Sequence, residues 1–262
     1  MRIHSFLSLL IICLTMLSEP LVAQRNIVSA DGTLRDKFGK KLGNIMFSTI
    51  TLKFGRIKNN AVKSDTIRFF NAGERPVTFL IGKSPAHLVC NLHSASVASK
   101  AESWMVVTFD ARKKGDYGFV FDRFELMTND SLQPKKMISV TATIEESFPS
   151  MNGDDSAKAP KARISETIFN YGKIKQGTKV SHEFVIHNDG QKNLMIHKAK
   201  SNSDCIQSSF TKTMVVSGDS CTVKVDFDSA GKDGTDSRKV DVYVNDFLKP
   251  NITLELKGEV TK

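Results

Sequence analysis

Aromatic side chains other than phenylalanine are scarce in this chain of 262 residues, which has one Trp and three Tyr. No stretch interleaves such rings with basic residues in the manner of a nucleic-acid-binding module, so nucleic acid is not an expected partner. Cysteine is sparse too, at four residues, too few for a disulfide-dense scaffold. Past the N-terminal region no apolar run approaches the roughly 20 residues a membrane helix needs, and no transmembrane segment is expected. No window shows a helical stripe. Short catalytic signatures are missing: there is no Gly-x-Ser-x-Gly elbow, no His-Glu-x-x-His and no glycine loop built to cradle phosphate. These absences argue against an enzyme, and no catalytic residue and no cofactor is nominated. Charge is not lacking. Lys and Arg outnumber Asp and Glu 37 to 28, a net +9 with His neutral. The basic residues are scattered, in nothing longer than pairs such as Lys40-Lys41 and Lys135-Lys136, so the excess reads first as solvated surface. Anionic glycans, lipid headgroups or an acidic protein stay open as partners.

What is present begins with an export signal. Met1–Ser5 is a short basic start, Phe6 to Leu17 an apolar run and Leu21-Val-Ala23 a small-residue exit. Cys13 lies inside the run rather than at a lipid-anchor position, and cleavage is expected after Ala23. A periplasmic, secreted or cell-surface protein follows.

The rest of the chain says the same thing twice. Ile50-Thr-Leu-Lys-Phe-Gly-Arg-Ile57 returns as Ile168-Phe-Asn-Tyr-Gly-Lys-Ile174, Asn71-Ala-Gly73 as Asn188-Asp-Gly190, and Val107-Thr-Phe-Asp110 as Val225-Asp-Phe-Asp228. Asn129-Asp-Ser-Leu-Gln-Pro134 returns as Asn245-Asp-Phe-Leu-Lys-Pro250, all at offsets of 116 to 118 residues. A period that long suits a whole small domain. The expected organisation is a signal at 1–23, a polar leader or extra edge segment at 24–43, repeat one at 44–146, a flexible linker at 147–162 and repeat two at 163–262. Within each repeat apolar residues alternate with polar ones, as in His182/Phe184/Ile186, Val223/Val225/Phe227, Val240/Val242/Val244 and Met105/Val107/Phe109. That period belongs to strands with one buried and one wet face. Gly73 and Gly190 are expected at turns that need a positive φ. The expected fold class is all-β, two tandem immunoglobulin-like antiparallel sandwiches.

The second repeat resembles an exported bacterial domain family of unknown function, similar to the Hydin and major-sperm-protein class of immunoglobulin-like sandwiches. The residues that carry the resemblance are Phe169-Asn-Tyr-Gly-Lys-Ile174, His187-Asn-Asp-Gly190, Cys205, Gly218-Asp-Ser220, Val225-Asp-Phe-Asp228 and Asn245-Asp-Phe-Leu-Lys-Pro250. It covers most of 163–260, with a degenerate copy over about 45–145, and it implies fold and export rather than an activity. The family often has Cys-Gly-Cys in its mid-domain loop, where this chain has the single Cys90 and Cys205.

Three cysteines follow the signal. In an oxidising compartment Cys205 and Cys221, in one repeat, are expected to pair. The bridge would close a loop of about 15 residues, worth about 3 kcal/mol; two free thiols are the alternative. Ser103 holds the place of Cys221 in repeat one, beside Trp104, a ring expected to pack. Cys90 is flanked by His87 and His93, a spacing that could offer copper or zinc three ligands, although residues three apart in an extended segment face opposite ways. A Cys90-linked dimer is a second possibility. Asp-Ser/Thr-apolar triplets nominate Ser131, Ser156 and Ser229 for O-glycosylation, with Thr66 a poor fourth; Asn129-Asp-Ser131 and Asn251-Ile-Thr253 fit the N-glycan pattern.

Together these features describe a non-catalytic binding or scaffolding protein of the cell envelope, acting on another envelope or extracellular protein through a sheet edge or end loops. A metal or thiol carrier at His87, Cys90 and His93, and an envelope glycan-binding protein, are the alternatives.

Overall fold

A computed structural model describes residues 34–150, 152–201 and 203–262. The expected export signal and the first ten residues of the expected leader lie outside them. Alternating burial builds two sandwiches. In the first, one sheet runs β1 (Lys40–Leu42), β2 (Ile45–Phe47), β4 (Val62–Asn71), β8 (Glu102–Asp110), β6 (Leu88–Leu92). The facing sheet runs β3 (Thr51–Lys58), β10 (Lys135–Glu145), β9 (Gly118–Thr128), β5 (Val77–Ile81), β7 (Ser96–Val97). The second sandwich repeats this order. One sheet is β11 (Ala162–Ile164), β13 (Lys179–Asn188), β17 (Ser220–Asp228), β15 (Ile206–Phe210). The other is β12 (Ile168–Lys175), β19 (Asn251–Thr261), β18 (Gly234–Val244), β14 (Leu194–Ser201), β16 (Met214–Val215). Each sandwich closes on its own core, around Phe69, Phe109 and Phe124 in the first and Phe184, Phe227 and Val242 in the second.

All pairings are antiparallel except one per sandwich: β3 runs parallel to β10, and β12 to β19, each with a register shift at its centre. The shift explains the repeated aromatic-Gly-x-Ile motif. Gly55 and Gly172 sit at φ +69 and +72, a left-handed step that inserts one residue as a bulge. Residues three apart, Phe54 and Ile57, then both face the core, which an unbroken strand forbids. The Asn-x-Gly motif works differently from the expectation. Neither Gly73 nor Gly190 has a positive φ; the buried asparagine organises the turn. Asn188 Nδ2 donates to the Lys192 and Val215 carbonyls, both at 2.9 Å, while its Oδ1 accepts from Gly190 N at 3.0 Å. Asn71 makes the corresponding set.

The segment expected to be a flexible linker carries a short helix. Asn152 caps a short helix, α2 (Gly153–Lys158), once α1 (Ala111–Lys114) has closed the turn after β8. Lys192 N donates to the Lys158 carbonyl at 2.9 Å, and Ala159 is buried. Gly190 supplies the room: a Cβ there would lie 2.2 Å from the Ala159 carbonyl oxygen. The last residues of the leader are also structured. Phe38 is fully buried and stacks on Phe70 with centroids 6.0 Å apart, worth about 2 kcal/mol of burial, and it holds β1 on the sheet edge.

Candidate functional site

The turn between α1 and β9 brings the two sandwiches together. Asp116 accepts from Lys198 Nζ at 2.7 Å and Lys200 Nζ at 3.1 Å; Lys200 also donates to the Tyr117 and Phe119 carbonyls. Tyr117 lies between His197 and Tyr243, at centroid distances of 4.7 and 5.9 Å. Its hydroxyl accepts from Asn59 Nδ2 at 3.0 Å, and Glu146 Oε2 sits 3.1 Å from His197 Nε2 as an ion-pair contact. Burial acts to raise the Asp116 carboxyl, but Lys198, the Tyr117 amide and Lys200 together hold it below its usual range. Burial, with Glu146 nearby, pushes the Tyr117 phenol up to about 12. Gly118 makes the approach possible: at φ +69, its Cβ would lie 2.0 Å from the Tyr243 hydroxyl. A charged hydrogen-bonded seam of this kind fixes orientation.

Beside the seam lies a cleft of about 260 Å³, bordered by Arg56, Phe119, Thr143, Phe148, Tyr243 and Asn251. It opens onto the outer face of the β3–β10–β9 sheet, where Phe119 and Phe121 are 63% and 49% exposed. The guanidinium of Arg123 lies over the Phe121 ring, 4.8 Å from its centroid. Sequence reasoning missed this face. Its signal was available in Gly118-Phe-Val-Phe-Asp122, where an alternating strand carries apolar residues on both faces.

The nominated residues fare differently. The Cys205–Cys221 bridge is corrected: the three cysteines among the described residues are free. Antiparallel register sets Ile206 against Phe227 and Phe210 against Val223, so Cys205 and Cys221 lie at opposite ends of β17, about 20 Å of strand apart. A disulfide needs Cα atoms within about 7 Å. Cys221 is buried and its thiol donates to the Lys212 carbonyl at 3.2 Å, while Cys205 Sγ lies 2.9 Å from Ser203 Oγ. The metal reading of His87, Cys90 and His93 is corrected as well. His87 turns inward to Asp122 at 3.0 Å, and His93 stacks on Trp104 at 3.5 Å between centroids. Cys90 packs against the core, where burial pushes its thiol up to about 11 against a Ser84 hydrogen bond. Among the described residues no three His, Cys, Asp or Glu side chains gather to hold a metal. Trp104 packs on His93 at the surface rather than in the core.

Of the glycosylation candidates, Ser229 is corrected: it is fully buried and donates to the Thr178 carbonyl at 2.8 Å. Ser131 is exposed, in the turn before β10, and Ser156 is half-buried within α2. Thr66 is exposed within β4.

Residues 162–260 match the family model described as "Protein of unknown function (DUF1573)". The match and the architecture support an immunoglobulin-like domain family without an assigned activity. A crystal structure of a protein of unknown function from Porphyromonas gingivalis W83 superimposes with a TM-score of 0.56 at 15% identity, covering 83% of this chain and 100% of that one. That likeness speaks for fold alone. Weaker likenesses, on which nothing is built, include the ASH / PapD-like domain 7 of human CEP192 (TM-score 0.34, 14% identity, 45% of this chain and 94% of that one). The periplasmic chaperone SfaE is another (TM-score 0.29, 13% identity, 83% and 100%). No curated protein matches the sequence significantly. No helix among the described residues is long and apolar enough to cross a membrane.

Proposed function

We propose that this is an exported, non-catalytic binding protein of the bacterial cell envelope, built by duplication of one sandwich and held as a single unit. The observation that carries the reading is the pair of outward rings Phe119 and Phe121, presented beside a seam that fixes the two sandwiches relative to each other. Exposed aromatic side chains in contiguous patches mark interaction surfaces, and a preorganised surface loses little entropy on binding. The export signal and the basic charge suit the envelope.

Two measurements test this. N-terminal sequencing of protein from fractionated source cells should read from Gln24 in the periplasmic or surface fraction; cytoplasmic chain retaining Met1 refutes export. Photo-crosslinking through benzoylphenylalanine at position 121 in living cells should give a discrete adduct. Turnover of an envelope substrate by the purified protein contradicts a non-catalytic role.

A further inference from the structure

We propose that the outer face of the β3–β10–β9 sheet is a groove for an anionic polysaccharide strand. The inference rests on the binding-protein reading and names its ligand class. Three neighbouring strands give the groove its chemistry. Central β10 presents the short hydroxyl side chains Ser139, Thr141 and Thr143, with Ile138, Val140, Ala142 and Ile144 turned to the core. On one side the register places Phe121 beside Thr141 and Phe119 beside Thr143. On the other it places Lys53 beside Thr141 and Arg56 beside Thr143. A low hydroxyl floor thus runs between an aromatic wall and a cationic one, and with strands about 4.8 Å apart the walls stand about 10 Å from each other.

Each component matches one part of an acidic sugar. A pyranose ring has an apolar C–H face that packs on an aromatic ring, hydroxyl edges that hydrogen-bond to a hydroxyl floor, and a carboxylate or sulfate that seeks a cation. Phe119 and Phe121, two residues apart on one face, are spaced about 7 Å, which favours an extended chain over a single sugar. The cations outnumber the one carboxylate among them. Glu145 is shared between Arg56 and Lys58, the Arg56 side chain is 81% exposed, and Lys53 has no side-chain partner among the described residues. Arg123 adds a further cation over Phe121. An apolar protein knob would bury the Ser139 and Thr143 hydroxyls without partners, whereas a polyol satisfies them; Thr141 already donates to the Leu52 carbonyl at 3.4 Å. The groove runs into the cleft at Tyr243 and Asn251.

The second sandwich provides an internal control. Register equates Phe119 and Phe121 with Thr235 and Ser237, and the floor positions Ser139, Thr141 and Thr143 with Glu255, Lys257 and Glu259. There the floor is filled by charges that satisfy one another locally: Glu259 pairs with Lys173 at 3.0 Å and Glu255 accepts from Ser237 at 2.8 Å. The same sheet in the same fold lacks the aromatic wall and the hydroxyl floor.

The test is affinity electrophoresis and calorimetry of the mature chain with polygalacturonate (carboxylate), dextran sulfate (sulfate), neutral dextran and poly-aspartate. The double variant Phe119→Thr/Phe121→Ser transplants the residues of the second sandwich at exposed positions, and circular dichroism verifies its fold. Binding to at least one anionic glycan, at least tenfold weaker in the double variant and at least tenfold tighter than to neutral dextran or poly-aspartate, is the expected result. Which polyanion wins identifies the acid group. Equal affinity in the double variant, equal binding to poly-aspartate, or no binding to any glycan overturns the groove. A discrete protein adduct at position 121 in any of those cases leaves the binding-protein reading standing. Turnover of the bound glycan sinks that reading and spares the groove.

Discussion

The two sandwiches share a strand order, a glycine bulge and a buried turn asparagine, yet they fill one equivalent core position with opposite chemistry. Lys136 of β10 is fully buried in the first, where β19 of the second has Ile252. The lysine is accommodated because the turn before β10 surrounds it with acceptors: Asp130 Oδ2 at 3.0 Å, Thr128 Oγ1 at 3.1 Å and the Gln133 carbonyl. Asp130 is matched by Asp246, buried likewise, but Asp246 accepts only backbone amides, from Ala162, Leu248 and Lys249. A common frame therefore tolerates a buried charge where local acceptors compensate it. Another corner is charged in both. In the first sandwich His87, Lys114 and Asp122 form a half-buried polar cluster; in the second the corresponding corner holds Cys205, Arg238 and Asp236.

The largest test of this contrast is removal of the shared aspartate. Asp130→Ala strands the Lys136 ammonium and is expected to cost about 3–5 kcal/mol, whereas Asp246→Ala loses amide hydrogen bonds only, about 1–3 kcal/mol. Trp104, the single tryptophan, lies in the first sandwich, so its fluorescence during urea unfolding reports that half directly. Comparable costs in both halves refute the account. Acid offers the same comparison without mutation. Burial alone raises the Asp130 carboxyl, but the Asn44 amide, Lys136 and the Leu132 amide hold its folded pKa below the ordinary value. Its contribution is thus complete above the unfolded pKa of about 3.9 and is lost as pH falls through the lowered folded value. The Trp104 transition is expected to come first on acid titration, ahead of amide-exchange loss in residues 162–260.

The seam is sharpened by a glycine pair. Gly118 and Gly234 open equivalent strands at φ +69 and +80, but a Cβ meets Tyr243 only at the first. Gly234→Ala should cost only backbone strain, about 1–2 kcal/mol. Gly118→Ala should add to the same strain a separation of the sandwiches, visible as a larger radius of gyration in small-angle scattering. An unchanged radius removes the seam's role. A smaller effect is expected at the register position shared by Ser103 and Cys221. Ser103 Oγ is buried without a partner among the described residues, so Ser103→Cys should gain about 1 kcal/mol, a rise of a few degrees in Tm. Last, denatured mature protein should titrate three thiols per chain, and Cys205→Ser should leave Tm unchanged; two missing thiols would reinstate the bridge.

Much of the frame was legible because strand alternation and the repeated motifs are local. Val240-Asp-Val-Tyr-Val244 declares its buried face by itself. The errors arose where a residue's partner is far along the chain. Loop length made Cys205 and Cys221 look bridgeable, but strand register sets them at opposite ends. Asp228-Ser-Ala230 has an acceptor pattern, but a buried corner between Lys175 and Thr178 encloses Ser229.

By itself the sequence determined the class of fold, the doubling and the buried faces, since a period of two acts within a few residues and the repeated motifs are read directly. Only the tertiary structure decided that the sandwiches lock through Asp116 and Tyr117, that the thiols stay apart, and that Lys53, Thr141 and Phe121 stand side by side. The pairing of Lys53 with Thr141 depends on register between strands nearly 90 residues apart in the chain, which no local pattern encodes.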